Sequence, residues 1–265
     1  MAEDPKNIVQ SVAKAFGVLR AFAAGQAQLT ITEVAAATGL DRGTTFRLIH
    51  TLVSLGYVAS VPDSRRFRLT LKCLELGYSA LASGGLAAQS APLLRELVPG
   101  HADAASLGML EGPDVVYIDR VQVDLGRRDM DRRVGSRTGA YAAALGHVLL
   151  AWLPPDHARA VLESGERVPL SERTIVDLDA LMERLAQVRA RGYAVSDGEN
   201  AYGLRTVAAP VLGPDQTPVA GVSLTVRSER ADLEPFVADA LPPLLRVTDA
   251  LTKAVRLTAG RPAFG

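Results

Sequence analysis

The stretch LTITEVAAATGLDRGTTFRLIHTLVSLGYVASVPDSRRFRLT, residues 29–70, reads as a short helix, a tight turn, a second helix and an arginine-loaded hairpin. Thr30 and Glu33 stand at capping-box spacing, where a hydroxyl accepts from an orphan backbone N–H and the carboxylate reaches back to the cap. The spacing predicts a helix over residues 31–38 that buries Ile31, Val34 and Ala35 along one side. Gly39 supplies the positive φ that ends a helix cheaply. Leu40 plugs the core at the turn, and Asp41 is a good N-cap for the next helix. A turn of about three residues that carries a glycine is the connection expected of a helix-turn-helix.

The second helix is expected from Arg42 to Leu55. On a wheel of about 3.6 residues per turn, Thr45, Leu48, Ile49, Leu52 and Leu55 share a face that docks on the first helix. Gly43, Phe46, Arg47, His50 and Ser54 fall on the opposite face. That outward set presents a guanidinium, an imidazole and a ring at successive turns. Arginine is the commonest specific reader of guanine, and an apolar side chain can meet a thymine methyl. An ordinary amphipathic helix pair is the competing account of the same pattern.

The hairpin weighs against that account. Gly56 ends the helix, Tyr57, Val58 and Val61 begin an extended run, and Pro62-Asp63-Ser64 makes a turn. On the return strand Phe67 and Leu69 take one face and Arg66 and Arg68 the other. With Arg65, these basic residues are placed to meet phosphates, which position a protein without reading sequence. A charged edge strand protected against aggregation is the alternative, and both can hold. The resulting candidate DNA contacts are Arg42, Gly43, Thr44, Phe46, Arg47, His50, Arg65, Arg66 and Arg68.

Composition fits two tasks in one chain. At 265 residues the length is comfortable for two domains. Net charge is zero, yet residues 1–85 hold nine Lys/Arg against six Asp/Glu, and the remainder holds twenty against twenty-three. A locally basic N-terminal part suits a polyanionic partner, and the neutral total argues against a non-specific nucleic-acid coat. The single cysteine, Cys73, excludes an internal disulfide and cysteine-rich zinc sites, and reads as a small core residue. No apolar run approaches the ~20 residues of a membrane span, and the start MAEDPKN lacks a signal-peptide core. A cytoplasmic protein with no membrane partner and no cofactor is expected.

Before the quoted stretch, Val9, Val12, Phe16, Leu19 and Phe22 recur at helical spacing, predicting a first helix that packs across the other two. After it, residues 71–82 read as a connector helix with Leu74, Tyr78 and Leu81 on a stripe, interrupted by Ser83-Gly84-Gly85. The expected organisation is a winged helix-turn-helix domain over residues 1–70, a linker helix over 71–85, and a second domain over 86–265. In the second domain a helix over 86–98 is followed by strands 104–110 and 115–121, joined by Glu111-Gly112-Pro113-Asp114. A buried helix over 142–153 stops at Pro154-Pro155. Asp177 caps a helix with Leu178, Leu181, Leu185 and Val188 inward, closed by Gly192. Strands 204–212 and 219–226 flank Gly213-Pro214-Asp215, and a C-terminal helical region over 233–257 is broken or kinked at Pro242-Pro243. Hairpins with helices to one side point to an α+β domain around an antiparallel sheet.

With these elements in place, the chain resembles the IclR family of bacterial transcriptional regulators along nearly its whole length. The resemblance rests on QSVAKAFGVLRAF from Gln10, TEVAAATGLDRGTTFRLIHTLVSLGYV from Thr32 and FRLT from Phe67. It continues in VGSRTGAYAAALGHVLLAWLP from Val134, RGYAVSDGENAYGLRTVAAPVL from Arg191 and GVSLTVRSER from Gly221. VGSR followed by AYAAALG looks more like the branch controlling aromatic-acid catabolism (protocatechuate, hydroxybenzoate and β-ketoadipate pathways) than the glyoxylate branch. The resemblance implies a winged-helix domain, a linker helix and a GAF-like effector-binding domain. It implies a homodimer formed through the N-terminal domains, often a dimer of dimers, on a double-stranded DNA operator. It also implies pocket positions at Ala144, Leu145, Ser196, Asp197, Leu204, Thr206, Ser223 and Thr225.

Pattern reading agrees on the last four. Val222, Leu224 and Val226 alternate with Gly221, Ser223 and Thr225, and Leu204 shares a strand face with Thr206. A face of small polar groups can line a cavity whose few hydrogen-bonding groups orient a ligand, or can simply face solvent. Arg137 and Arg205 are each able to grip a ligand carboxylate with a bidentate guanidinium, or to hold Asp197 or Glu199 in a structural ion pair. The family pattern is departed from at Gly43, Gly139, His147 and Thr206, where Ser/Thr/Ala, Pro, Lys/Arg and Cys are usual. Gly43 costs its helix about 1 kcal/mol relative to alanine, and either permits close backbone approach to DNA or simply weakens the site.

Two other classes remain in view. An enzyme would use Asp197 and Glu199 as an acid–base pair, but no nucleophile elbow, Walker loop, dinucleotide fingerprint or H-E-x-x-H accompanies them. His50, His101, His147 and His157 have no metal-ligand spacing. A winged helix used only for protein contacts would leave Arg47 and Arg66 dispensable. The expected function is a ligand-responsive regulator that binds a pseudopalindromic operator and senses a small organic acid.

Overall fold

A computed structural model of the chain describes residues 8–23, 27–76, 85–123 and 132–259. The backbone divides into two compact units, Met1–Ser83 and Gly84–Gly265.

In the first unit, helix α1 (Gln10–Ala23) precedes strand β1 (Leu29–Thr30), helices α2 (Ile31–Thr38) and α3 (Arg42–Ser54), and strands β2 (Val58–Ser60) and β3 (Arg66–Leu69). The capping box forms: the Glu33 N–H donates to Thr30 Oγ1 at 3.3 Å and the Thr30 N–H to Glu33 Oε2 at 2.7 Å. Gly39 takes φ 68° at the end of α2, a left-handed value at which a Cβ is penalised. The Asp41 carboxylate accepts from the Thr44 N–H at 2.8 Å and caps α3. Thr45, Ile49 and Leu52 turn inward onto Val18, Phe22, Val34, Val58 and Phe67. Burial of a side chain such as Ile49, which has no exposed surface, contributes roughly 1.5–3 kcal/mol. The wing is a three-stranded sheet in the order β1-β3-β2, because Leu29 pairs with Phe67. The two-residue β1 was not foreseen, being too short to show an alternation.

Two helical stripes differ from expectation. In α1, Val18 and Phe22 are buried, whereas Val12 and Phe16 are about half exposed, as is Val9 just before the helix; the small core is filled by the C-terminal half of the helix. Leu55 is exposed, because it lies past the last turn of α3 as its C-cap. Of the expected connector helix, residues 73–76 are helical, while Tyr78 and Leu81 lie outside the described residues.

The second unit is built on a six-stranded sheet in the order β6-β5-β4-β9-β8-β7, antiparallel throughout. Its strands are β4 (Ala104–Glu111), β5 (Asp114–Gln122), β6 (Arg137–Gly139), β7 (Ala194–Asp197), β8 (Leu204–Leu212) and β9 (Pro218–Arg227). The helices are α4 (Leu86–Leu97), α5 (Ala144–Ala151), α6 (Pro155–Glu163), α7 (Leu178–Arg191) and α8 (Leu233–Ala259). They cover both faces of the sheet, not one. Val207, Ala209, Val222 and Leu224 meet α4 and α8, whereas Val115, Tyr117 and Ala208 meet α5, α6 and α7. Strand periodicity shows that a sheet has two faces but not which helices return to each. Helix α8 runs unbroken through Pro242 and Pro243, and Ala240, Leu244, Val247 and Leu251 are buried around them. Packing on the sheet outweighs the lost hydrogen bonds. Among the described residues no helix is long and apolar enough to cross a membrane.

Candidate functional site

On the N-terminal unit, α3 presents Arg42, Gly43, Phe46, Arg47 and His50 to solvent, with Thr44 half-buried. The period of the helix separates this set from Thr45, Ile49 and Leu52, which hold it to the core. The Phe46 ring lies 4.2 Å from the His50 ring, and His50 lies 6.2 Å from Phe67 on β3. Helix and wing therefore meet at an aromatic seam with its outer edge exposed. Hydrogen bonds from the Thr44 hydroxyl and N–H hold the Asp41 carboxyl below its ordinary pKa.

The wing arginines divide. Arg65 and Arg68 are exposed. Arg66 stays partly exposed but is engaged within the unit: its Nη1 donates to the Gln28 carbonyl at 2.9 Å and lies 3.3 Å from Glu33 Oε2. Hydrogen bonding from Thr30, and then the charge of Arg66, keep the Glu33 carboxyl below its ordinary pKa. Arg66 thus ties the wing to the capping box of α2.

In the C-terminal unit a cavity lies between the sheet and the start of α5. Its floor follows from strand register. Ser196, Thr206 and Thr225 form one cross-strand row, and Ala208, Ser223, Ser106 and Arg120 form the next. Thr206 Oγ1 and Thr225 Oγ1 are 3.0 Å apart. The walls are Ala143, Ala144 and Leu145 at the start of α5, Asn200, Ala201 and Leu204 from the β7–β8 connection, and Tyr117, Arg120 and Arg132. Glycines bring α5 down onto the sheet: a Cβ on Gly221 or Gly108 would lie 3.0 or 3.2 Å from Leu145, and one on Gly146 only 2.0 Å from the Ala140 carbonyl oxygen.

The start of α5 has no side-chain cap, and Ala143, Ala144 and Leu145 there line the cavity, so orphan N–H groups of its first turn lie at the cavity wall. Ser196 and Ser223 are more than nine-tenths buried, and their hydroxyls have no partner among the described residues. The Asn200 carbonyl oxygen accepts from Thr138 Oγ1 at 3.1 Å, which leaves its NH₂ as the donor. Burial pushes the Tyr117 phenol up despite Arg132 and Arg120 nearby, so it stays neutral.

Of the pocket positions expected from sequence, Ala144, Leu145, Ser196, Leu204, Thr206, Ser223 and Thr225 come together around this cavity. Asp197 and Arg205 do not, because side chains alternate along a strand and they occupy the opposite sheet face. They pair with each other at 3.0 Å, and Arg173 also binds Asp197. Arg137 is held by Glu111 and Asp114. Neither arginine first considered for a ligand carboxylate lines the cavity. Arg120 does, and sequence reasoning missed it; the signal was its register with Ser106 and Ser223, invisible without the strand order.

Behind the cavity, the buried Glu199 carboxylate pairs with Arg184 at 2.9 Å. Asp197 and Glu199 are thus held by different arginines and form no shared acid–base site. His147 is fully buried on α5, with Nε2 2.7 Å from the Tyr141 carbonyl. Burial lowers its pKa, opposed by the charge of Glu199. Among the described residues no cluster of His, Cys, Asp or Glu is able to hold a metal ion.

Residues 78–252 match the family described as bacterial transcriptional regulator IclR C-terminal, and residues 11–62 match the IclR helix-turn-helix domain. The chain is 36% identical to the HTH-type transcriptional regulator KdgR of Escherichia coli (strain K12), covering 87% of this chain and 88% of that protein. It is 32% identical to the Pca regulon regulatory protein of Pseudomonas putida, covering 87% and 79%. A crystal structure of a transcriptional regulator from Rhodococcus sp. RHA1 aligns over 96% of this chain and all of that one, with 38% identity and a TM-score of 0.80. The helix-turn-helix unit, the cavity-bearing α+β unit and these matches together place the chain in the IclR family of bacterial transcriptional regulators.

Proposed function

We propose that this regulator binds a pseudopalindromic operator as a dimer and is switched by a small organic acid bound in the cavity beneath α5. One observation carries the effector reading: Ser196 and Ser223 are largely buried residues whose hydroxyls open onto that cavity with no protein partner, beside an uncapped helix start. The acid belongs to the aromatic class. That reading rests on the VGSR and AYAAALG segments, on the Pca regulon relative, and on the flat wall offered by Tyr117.

DNA is read by Phe46, Arg47 and His50, with Arg42, Gly43 and Thr44 at the start of α3 close to the backbone and Arg65 and Arg68 on phosphates. Two recognition helices then meet half-sites about 34 Å apart or a multiple of it. Dimerisation through the N-terminal unit is supported by the exposed apolar side chains Val9, Val12 and Phe16 at the start of the chain's first helical stretch and Leu71, Leu74 and Leu76 beyond the wing. The effector shifts the assembly only if it binds its two geometries with different affinities.

The test is Ser223→Leu in the full-length protein. It is expected to abolish the effector response in a gel-shift assay while operator binding persists; a surviving response places the effector elsewhere. Arg47→Ala is expected to weaken specific binding, and unchanged sequence preference would reject its reading role.

A further inference from the structure

The cavity as it stands is small. Its free volume is about 40 Å³, room for a few waters and far below the roughly 300 Å³ of a small organic ligand's site. A wall must therefore move to admit an effector, and two walls are held in place. The floor is tied by backbone pairing from β5 through β4 and β9 to β8. Every residue of α5 is buried, and the close approaches at Gly108, Gly146 and Gly221 leave it no slack against its neighbours. The third wall is the turn between β7 and β8, and its ends are anchored. The Glu199 carbonyl accepts from Thr174 Oγ1 at 2.6 Å, and its carboxylate pairs with Arg184. The Gly203 carbonyl accepts from the Ser228 N–H at 2.8 Å. Between these anchors Asn200 and Ala201 face the cavity, and Tyr202 is 82% exposed, so the outer side of the turn packs on little. Gly203 takes φ 80°, where glycine reorients at little steric cost. Apart from a bond within the turn, from the Leu204 N–H to the Ala201 carbonyl, a single hydrogen bond among the described residues ties 200–202 to the rest of the unit. In it Thr138 Oγ1 donates to Asn200 Oδ1 at 3.1 Å. Thr138 is on β6, and β6 and β7 are opposite edges of the six-stranded sheet, so this bond joins the two rims of the sheet beside the cavity.

We propose that Asn200 is the positioning residue of a gate: residues 200–203 swing outward about Gly203 to admit the effector, and the Thr138–Asn200 bond latches them shut behind it. A neutral hydrogen bond suits a latch, since its net worth is only about a factor of two to ten in an equilibrium. The Glu199–Arg184 ion pair, one residue earlier, fixes the base of the turn instead. With its oxygen engaged by Thr138, the latched Asn200 keeps its NH₂ as a donor toward the cavity. Closure of the gate and orientation of the ligand therefore depend on one side chain. This assignment rests on the cavity being the effector site.

The experiment reads access to the cavity floor with a thiol, in the full-length protein carrying Cys73→Ser, which removes its single native cysteine. Ser223→Cys places a thiol on the floor, and its reaction with 4,4′-dithiodipyridine is followed by the thiopyridone released. Thr138→Val and Asn200→Ala are each expected to speed that reaction about twofold to tenfold, the factor carried by one neutral hydrogen bond. Combining them is expected to add nothing further, since both cut the same bond, and Thr138→Ser is expected to keep the slow rate. Ala240→Cys, on the other face of the sheet, reports loosening of the whole unit, and its rate is expected to stay the same in the latch variants. Unchanged rates at position 223 in both latch variants overturn the proposal, as does an equal acceleration at position 240. If the latch variants open the cavity while the effector response survives Ser223→Leu, the gate to the cavity stands and the effector reading falls. If Ser223→Leu abolishes the response and the latch variants change nothing at position 223, the effector reading stands and the gate falls.

Discussion

Single positions in this protein are decided by which side of an element they occupy. Ser196 and Asp197 are neighbours in sequence, yet one lines the cavity and the other pairs with Arg205 on the far side of the sheet. Gly43 is exposed on α3, and a Cβ there would meet only Asp41 Oδ1 at 3.3 Å, so no packing inside the protein requires a glycine. The proposed DNA contact is the remaining role for it. His147 is the opposite case, a titratable ring sealed in the core with Nδ1 unpartnered. Burial lowers its folded pKa below the unfolded value near 6.5. The unfolded chain therefore binds more protons just below that value, and the stability contribution, complete above it, is lost as pH falls. Urea titrations are expected to show wild-type stability dropping between about pH 7 and 5, a window starting at the histidine pKa, and His147→Gln flattening that drop. An equally steep fall in the variant would mean that other groups govern it.

Elements show the same economy of placement. The capping box that starts α2 also anchors the wing, because Glu33 receives both the Thr30 N–H and the Arg66 guanidinium. Two arginines two residues apart on β3 therefore have different tasks. Arg68→Ala is expected to flatten the dependence of log K on log salt by about 0.9, one phosphate contact. Arg66→Ala is expected to leave that slope unchanged, its guanidinium being engaged by Glu33 and the Gln28 carbonyl. Filter binding across a salt series distinguishes the two, and an unaltered slope for Arg68→Ala would remove it from the phosphate contacts. Helix α8 carries a related lesson: two consecutive prolines read as a break, and the apolar face of the helix overrides them.

Over the whole chain, each unit has a separate core, one around Ile49 and Val34 and one on each face of the large sheet. The cavity lies on one face of the large sheet and α8 on the other, so damage on that far face is expected to act through stability and not through the cavity. Leu244 on α8 is fully buried against that far face, and Leu244→Ala is expected to cost about 2–5 kcal/mol. The single tryptophan, Trp152, lies in the same unit, so urea unfolding followed by its fluorescence measures the loss. A change below about 1 kcal/mol would be out of line with cavity creation in a closed core.

The caps and turns of the winged-helix unit were legible in the sequence, since their signals are local: the Thr30–Glu33 box, the Gly39 turn, the Asp41 cap and the 3.6-residue period of α3. Strands β4, β5, β8 and β9 were legible as well, through their alternation and their turns. The path of the sheet was not. Pairing β4 with β9 joins residues more than a hundred positions apart, and nothing local encodes that register. Only the tertiary structure put Arg120 into a row with Ser106 and Ser223, turned Asp197 and Arg205 away, and spread the helices over both faces. Helix caps and turns are short-range bargains between neighbouring backbone groups, and the sequence alone settles them. A cavity is bounded by residues that only long-range pairing brings together.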